Sequence, residues 1–184
     1  MQMVKDYREA DGTQARSLEP KRKQSWTTPG WLFLINVDGA IPTGYGHSGI
    51  GILIRDKDLK FIAAMCKPFL GRFGVEETEA IAMEQGLVLA KELGLERVLI
   101  VGDSSNNPSN WERRGQRCSR SYNSWNCAGK RSFANVKMKH IGRTGNKIAH
   151  ELAQQAKRVK DAMCWLGREL DIIADLLRRE GVLL

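Results

Sequence analysis

The fold is decided by residues 76–103, which read EETEAIAMEQGLVLAKELGLERVLIVGD. The first part, Glu76 to Leu93, carries apolar residues at helical spacing, namely Ala80, Met83, Leu87 and Ala90. Gly94 stands where a helix C-cap is expected. The second part, Arg97 to Gly102, has the unbroken apolar run of a short buried strand. This stretch therefore predicts a helix that leads into a strand.

Three short apolar runs precede this stretch, and they predict three strands: Leu32 to Asp38, Ser48 to Arg55 and Lys60 to Lys67. Gly44, Gly46 and Gly49 bracket the first turn, and Asp56-Lys57-Asp58 is the signal of a second, tight turn. This spacing is typical of an antiparallel meander. A strand, a helix and another strand then imply a right-handed crossover and parallel pairing. The simplest sheet places the fourth strand beside the first.

Two elements are expected further along the chain. Asn135 to His140 resembles a fifth strand, and Gly145 to Lys160 resembles a helix with Ile148, Leu152 and Ala156 on one face. Between the fourth and fifth strands, residues 104–132 are rich in Ser, Asn, Arg and Gly and follow neither a helical nor a strand period. The class of fold is therefore α/β, with one atypical basic segment.

The chain divides into a tail, one domain and an extension. Residues 1–28 are polar and lack periodicity, which predicts a disordered tail. The domain is expected at 29–160. Residues 161–184 are expected to form a C-terminal helical extension, because Leu170, Ile173, Ala174 and Leu177 recur at helical spacing.

The charge is unevenly distributed along the chain. The formal net charge is +8, but residues 29–103 carry −3, residues 104–134 carry +5 and residues 135–184 carry +4. An acidic spot that faces a basic surface suits a site that holds metal cations together with polyanionic nucleic acid.

The sequence also limits the compartment. No apolar run approaches the ~20 residues that span a bilayer, and the N-terminus lacks the apolar core of a secretion signal. We therefore expect an intracellular protein, nuclear or cytoplasmic and not membrane-bound, with four reduced cysteines. Lys21-Arg22-Lys23 is either a nuclear address or an ordinary charged run before the domain.

Three acidic residues are candidates for chemistry. Asp38 ends the first predicted strand and Asp103 follows the fourth, so parallel pairing would bring both to one end of the sheet. Glu79 lies in the first turns of the crossover helix, which we expect to start near the opposite end, so it reaches the aspartates only if the helix packs diagonally. Each acid has an ordinary explanation as well: a turn for Asp38, a helix cap for Asp103 and a solvated face for Glu79.

Four ordered motifs resemble type 1 ribonuclease H, and most closely its plant-type branch, which is similar to retroelement ribonuclease H domains. The motifs are NVDGA at 36–40, TEAIA at 78–82, GDS at 102–104 and HIGRTGNKIAHELA at 140–153. The resemblance covers residues 26–160 except 104–132. It implies a ribonuclease H-like fold: a five-stranded mixed sheet in the order 3-2-1-4-5 with helices on its faces.

The resemblance also implies roles for particular residues. Asp38, Glu79 and Asp103 match three of the four metal-binding carboxylates, which would hold two Mg²⁺ ions about 4 Å apart around the scissile phosphate, with Mn²⁺ as an alternative ion. His140 matches a mobile loop histidine that helps proton movement or product release, although it is equally explained as an ordinary strand-end histidine. The implied partner is an RNA–DNA hybrid whose RNA strand is cut. No protein partner is implied, and we expect a monomer.

The sequence departs from the family pattern at two places. His150 stands where the fourth carboxylate is usual, and imidazole is a poor Mg²⁺ ligand, so His150 either binds the second metal weakly, positions water or faces solvent. The segment 104–132 is either a basic nucleic-acid-binding loop or the product of a reading-frame or splicing error. The loss of pattern at Ser105 and its return near Phe133 favour the error.

Three functions therefore remain open at this stage. The first is a metal-dependent endonuclease that acts on RNA–DNA hybrids. The second is a non-catalytic nucleic-acid-binding module that keeps the fold, and the third is an inactive retroelement-derived remnant. A nucleotide-binding oxidoreductase is not indicated, because the glycines at 44, 46 and 49 open no helix.

Overall fold

The computed structural model describes residues 32–103 except 43, 45 and 72, residues 133–167, and residues 174, 175 and 178. The elements follow in the order β1 (Phe33–Ala40), β2 (Ser48–Arg55), β3 (Phe61–Phe69), α1 (Val75–Glu92), β4 (Arg97–Gly102), β5 (Asn135–His140), a 3-10 turn (Arg143–Gly145), α2 (Lys147–Ala156) and β6 (Met163–Leu166). The predicted tail at 1–28, the segment 104–132 and most of the predicted C-terminal extension lie outside the described residues.

The strands form one mixed sheet in the order β5-β4-β1-β2-β3-β6. β1 pairs in parallel with β4, and β4 pairs in parallel with β5. The other three pairings, β1 with β2, β2 with β3 and β3 with β6, are antiparallel. The five-stranded order predicted from the sequence is confirmed, and a sixth strand is added beside β3.

This sixth strand is a correction, because residues 163–166 lie in the segment that we expected to be helical. Met163-Cys164-Trp165-Leu166 is a short apolar run, and β3 offers it an unpaired edge from Ala63 to Cys66. The hydrogen bonds of that edge outweigh local helical preference, and Trp165 becomes buried. The strand ends at Gly167, which has a left-handed φ of 64°. Beyond it, Ala174, Asp175 and Arg178 are helical, and the rest of the predicted helical extension stays a prediction.

α1 covers one face of the sheet. Its buried residues, including Met83, Leu87 and Leu89, pack with Phe33, Ile35 and Val37 of β1 and with apolar residues of the neighbouring strands in the main core. The helix ends as the sequence predicts: Leu93 is the C-cap, and Gly94 follows it with a φ of 73°. Neither this helix nor α2 is both long and apolar enough to serve as a membrane span, within the part of the chain that the structure describes.

α2 covers the opposite face and lies unusually close to β2. A Cβ atom on Gly49 or Gly51 would overlap backbone atoms of α2 at Ala153, and on Gly51 also at Ala149. Gly49, which brackets the predicted turn, lies in β2 as predicted, and the absence of a side chain there lets the helix backbone approach the strand. Ile148 and Leu152 of α2 then complete a second core on this face. This close contact fixes the distance between α2 and the sheet beside the carboxyl end of β1.

Candidate active site at the carboxyl end of the central strands

Asp38 and Asp103 lie together at the carboxyl ends of β1 and β4. The two strands are parallel neighbours, with Asn36 level with Val101, and the two aspartates come two positions later on each strand. Both side chains are almost buried, at 11% and 9% exposed. Loss of hydration and repulsion by Asp103 raise the pKa of Asp38 from 3.8 to about 6, whereas the hydrogen bond and charge of His150 act in the opposite direction. The predicted convergence of the two strand-end aspartates is therefore observed.

His150 is the third member of this site and lies on the exposed side of the first turn of α2. Its Nδ1 lies 2.9 Å from Oδ2 of Asp38, and half of its side chain remains exposed. An ionised carboxylate can only accept, so Nδ1 carries the proton and donates. The other ring nitrogen, Nε2, is left on the solvent side, 3.5 Å from Nε2 of Gln154. The side chain thus faces the first aspartate and does not point away into solvent.

Glu79 reaches this end of the sheet through the position of its helix. A Cβ atom on Gly39 would lie 2.8 Å from Cγ2 of Thr78 and 3.0 Å from the backbone nitrogen of Glu79. Only glycine lets the first turns of α1 sit this closely on β1 beside Asp38. The side chain of Glu79 is half-buried.

Our expectation that α1 starts near the opposite end was wrong, and diagonal packing is not needed. Ala40 is level with Gly49, and Gly49 with Pro68, across β1, β2 and β3. Two antiparallel pairings in succession restore the direction of the chain, so β3 ends at the same end of the sheet as β1. α1 therefore begins there and runs back towards β4.

The structure brings two of the three predicted metal ligands close together and leaves the third on a neighbouring element. In the described part of the chain, no three side chains of His, Cys, Asp or Glu stand close enough to hold a metal ion in their present arrangement. Asp38 and Asp103 lie on neighbouring strands and repel each other, while Glu79 lies on the first turns of α1. The two aspartates supply carboxylate oxygens, which are the ligands that Mg²⁺ prefers, and a bound cation would relieve their repulsion. The donor chemistry therefore fits a hard divalent cation.

His140 lies at the same end of the sheet but outside this cluster. It is the last residue of β5, level with Gly102, and its side chain is partly buried. The chain then bonds back to β4 through Ile141, whose nitrogen donates to the carbonyl of Gly102 at 2.9 Å. His140 is thus one strand away from Asp103, at the entrance of the loop that leads to α2.

The structure reveals site residues that the sequence reasoning missed. Asn146, the N-cap residue of α2, donates from Nδ2 to Oδ1 of Asp103 at 2.7 Å and to the carbonyl of Val37 at 3.0 Å. Asn36 donates to Oδ1 of Asn146 at 3.0 Å, and Arg55 donates to Oδ1 of Asn36 at 2.8 Å. The available signal was polarity: Asn36 interrupts an apolar strand, and a buried amide requires partners.

One exposed cation stands beside the buried carboxylates. Nε of Arg143, in the 3-10 turn before α2, lies 3.8 Å from Oδ2 of Asp103. The Arg143 side chain is 82% exposed, so this contact contributes little to stability. A basic group at the mouth of an acidic site is well placed to contact a phosphate.

Comparison with known proteins agrees with this geometry. A family model described as reverse transcriptase-like matches residues 36–156, about two thirds of the chain. No curated protein matches the sequence.

Among solved structures, RNase H1 from the halophilic archaeon Halobacterium salinarum is 20% identical with a TM-score of 0.54, covering 68% of this chain and 96% of its own. The N-terminal RNase H domain of a Mycobacterium tuberculosis protein is 20% identical with a TM-score of 0.56, covering 69% and 94%. LC11-RNase H1, solved in complex with an RNA/DNA hybrid, is 18% identical with a TM-score of 0.53, covering 68% and 96%. At these identities the likeness establishes the fold, which is that of ribonuclease H.

Proposed function

Because the chain belongs to the reverse transcriptase-like family and has a ribonuclease H-like fold, we propose that it is a divalent-metal-dependent endonuclease that cuts the RNA strand of RNA–DNA hybrids. The observation that carries the proposal is the pair formed by Asp38 and Asp103. Two nearly buried carboxylates lie at the carboxyl ends of neighbouring parallel strands, close enough for the charge of Asp103 to raise the pKa of Asp38, and this is where open α/β sheets bind ligands. Such a pair is costly unless it serves a cation.

Asp38 and Asp103 would hold the metal, and Glu79 would join them from the neighbouring turn of α1. Bound there, Mg²⁺ or Mn²⁺ supplies a nucleophile from water and stabilises charge on the leaving oxygen, and the family resemblance implies two such ions. Repulsion between the two aspartates and the raised pKa of Asp38 favour cation binding at neutral pH over the unliganded site.

His150 takes the place of a fourth carboxylate with a different chemistry. Its Nδ1 proton is directed at Oδ2 of Asp38, which fixes the ring and leaves Nε2 as the nitrogen that can accept a proton. We propose that Nε2 orients or deprotonates water at the exposed side of the site. His140, at the entrance of the following loop, would assist proton movement or product release.

The substrate is proposed from charge and from the fold. Arg143 stands beside Asp103, and Lys139 and Lys147 are exposed on the elements that flank it. These cations suit the phosphates of a nucleic-acid strand, and the 2′-hydroxyl group is the feature that distinguishes RNA from DNA. LC11-RNase H1, a structural neighbour, was solved with an RNA/DNA hybrid. We propose that the protein acts as a monomer, and the plant-type branch remains a prediction.

A second candidate is a non-catalytic nucleic-acid-binding module. Two observations favour it: histidine stands at the position of the fourth carboxylate, and within the described residues no three metal-ligating side chains are gathered. The fold and the basic residues would then serve binding alone. An inactive retroelement-derived remnant is the third possibility, and the segment 104–132 is its main support.

One assay separates these functions. The full chain is incubated with labelled RNA–DNA hybrid, duplex RNA and single-stranded RNA, with Mg²⁺ or Mn²⁺, alongside Asp38→Asn and Asp103→Asn. Asp161→Asn is the matched control, because Asp161 is exposed and remote from the pair in sequence. Hybrid-specific cutting that both site variants lose supports the nuclease. Salt-sensitive binding without cutting supports the module, and an unfolded product by circular dichroism supports the remnant.

A further inference from the structure

A chain of side-chain hydrogen bonds connects a buried arginine to the site. Arg55, at the end of β2, is only 7% exposed, and its NH2 group donates to Oδ1 of Asn36 at 2.8 Å. Nδ2 of Asn36 donates to Oδ1 of Asn146 at 3.0 Å, and Nδ2 of Asn146 donates to Oδ1 of Asp103 at 2.7 Å. Both amides are buried. We refer to Arg55, Asn36 and Asn146 as the amide relay.

The hydrogen bonds of the amide relay can run in only one direction if every donor is to meet an acceptor. A guanidinium group can only donate, so the oxygen of Asn36 must face Arg55 and its NH2 group must face away. That NH2 group meets two acceptors, Oδ1 of Asn146 and the carbonyl of Gly145 at 3.1 Å. The oxygen of Asn146 is thereby fixed on the side of Asn36, and its NH2 group is delivered to Asp103. The cation on β2 thus decides that a donor, and not an acceptor, meets the carboxylate.

The amide relay also connects the elements that form the site. The side chain of Asn146 bonds to the carbonyl of Val37 in β1 and to Asp103 after β4, and the residue occupies the N-cap position of α2. The nitrogen of His150 donates to the carbonyl of Asn146 at 3.0 Å, so the same residue fixes the turn that carries the histidine. A reversed side-chain amide at 146 would place its oxygen against two acceptors and disturb the contacts with Val37 and Asp103 together.

We propose that Arg55 and Asn36 are positioning residues, which act through Asn146 to hold Asp103 in a fixed orientation for cation binding. Oδ1 of Asp103 is occupied by the amide, and Oδ2, which lies 3.8 Å from Nε of Arg143, remains the oxygen for the ion. The inference rests on the proposed metal-dependent function. Hydrogen-bond partners behind metal ligands commonly affect metal affinity by about 10-fold to 100-fold.

Asn36→Asp is the decisive variant, because it removes the donor of the hydrogen bond to Asn146 while it keeps a partner for the buried Arg55. Aspartate still accepts from Arg55, so the buried cation keeps its partner, but it has no NH2 group to give to Asn146. The amide of Asn146 then either keeps its oxygen against a carboxylate oxygen of residue 36, or turns that oxygen towards Asp103 and the carbonyl of Val37, and both outcomes disturb its contact with Asp103. Arg55→Lys keeps a donor-only cation and is the rescue variant. Asn135→Asp makes the same chemical change at an exposed position of β5.

Two measurements on the full chain test the proposal. Titration with Mn²⁺, followed by the paramagnetic resonance of the free ion, is expected to show at least about tenfold weaker binding for Asn36→Asp. Arg55→Lys and Asn135→Asp are expected to bind as the unchanged protein does. The side-chain amide signals of Asn146 in nuclear magnetic resonance spectra are expected to shift in Asn36→Asp and to persist in Arg55→Lys.

Unchanged Mn²⁺ affinity together with unchanged Asn146 signals in Asn36→Asp would overturn the proposal. Arg55→Gln, whose neutral amide can turn either way, replaces Asn36→Asp in both measurements if circular dichroism shows that the latter is unfolded. If the unchanged protein neither binds Mn²⁺ nor cuts hybrid, the proposed function fails. The Asn146 signals, which need no metal, then decide alone whether the amide relay has the inferred direction.

Discussion

Replacing Asp38 by asparagine should make the protein more stable and inactive at once. The carboxyl of Asp38 binds its proton more tightly in the folded protein than in the unfolded chain, because folding buries it against Asp103 and raises its pKa from 3.8 to about 6. This shift corresponds to about 3 kcal/mol of lost stability at neutral pH. Asparagine removes the charge and forfeits part of the bond to His150, so the expected net gain is about 1–3 kcal/mol.

The sign follows from proton linkage. Well below the ordinary pKa of 3.8 the carboxyl is protonated in both states and Asp38 exerts no penalty, and near pH 4 the penalty is already small. As the pH rises to about 6 the unfolded chain releases its proton first, so the stability of the folded protein falls across this window. Above it the penalty is complete. The advantage of Asp38→Asn should therefore be large near neutral pH and vanish in acid.

Urea unfolding in the presence of a chelator measures this directly, near neutral pH and at about pH 4. Asp161→Asn, an exposed aspartate, should change stability by less than about 0.5 kcal/mol at either pH. Adding Mg²⁺ should stabilise the unchanged protein more than the variant, because ligand binding to the folded state adds stability. An Asp38→Asn variant that is no more stable than the unchanged protein at neutral pH, or that gains equally at both pH values, would show that burial of the Asp38 charge does not destabilise the fold.

Three further predictions concern other parts of the structure. Gly51→Ala should lose about 1–3 kcal/mol in urea unfolding, because the new Cβ meets the backbone of α2. Gly142→Ala, whose Cβ would make only an ordinary contact with Oγ1 of Thr144 at 3.9 Å, should be neutral, and equal losses would contradict this. Burial raises the pKa of Cys66 to about 11 and that of Cys164 to about 12, so both thiols should be unreactive in the folded protein. In a chain with the other two cysteines replaced by serine, a disulfide reagent should label neither thiol until urea unfolds the protein, and prompt labelling of the folded protein would contradict this. His150→Asp places a third carboxylate beside Asp38, so it should tighten Mg²⁺ binding, measured by calorimetry, by about tenfold, or about 1.4 kcal/mol. The same change should destabilise the protein when a chelator removes the metal, and an unchanged Mg²⁺ affinity would count against a cation beside Asp38.

Much of the fold could be predicted because its signals are local. The bounds predicted for β2, β4 and β5 are those observed, and Asp56 accepts hydrogen bonds from the nitrogens of residues 58 and 60 in the predicted tight turn. Alternation, apolar runs and turn residues are properties of a few neighbouring positions. The placement of Asp38 beside Asp103 then followed from strand direction alone.

The rest depended on partners that are distant in sequence. β6 forms because β3 offers an edge almost 100 residues earlier in the chain, which no local preference reveals. In the sequence Arg55 is only the last residue of a strand, and its hydrogen bond to Asn36 becomes evident only in the folded structure. The start of α1 is different, because the directions of the three preceding strands determine it: two antiparallel pairings in succession return the chain to the carboxyl end of β1.

The sixth strand has a consequence for where the domain can be shortened. A chain cut after Lys160, the boundary that the sequence suggests, would lack β6 and leave the outer edge of β3, from Ala63 to Cys66, unpaired, although β2 would still pair with its inner edge. Those residues are buried and apolar, so the bare edge would be a template for strands of other copies. At the other side of the described sheet, Lys137 and Lys139 are exposed on β5 and discourage such pairing. Shortening the chain by its last strand would thus convert a protected sheet into a self-associating one.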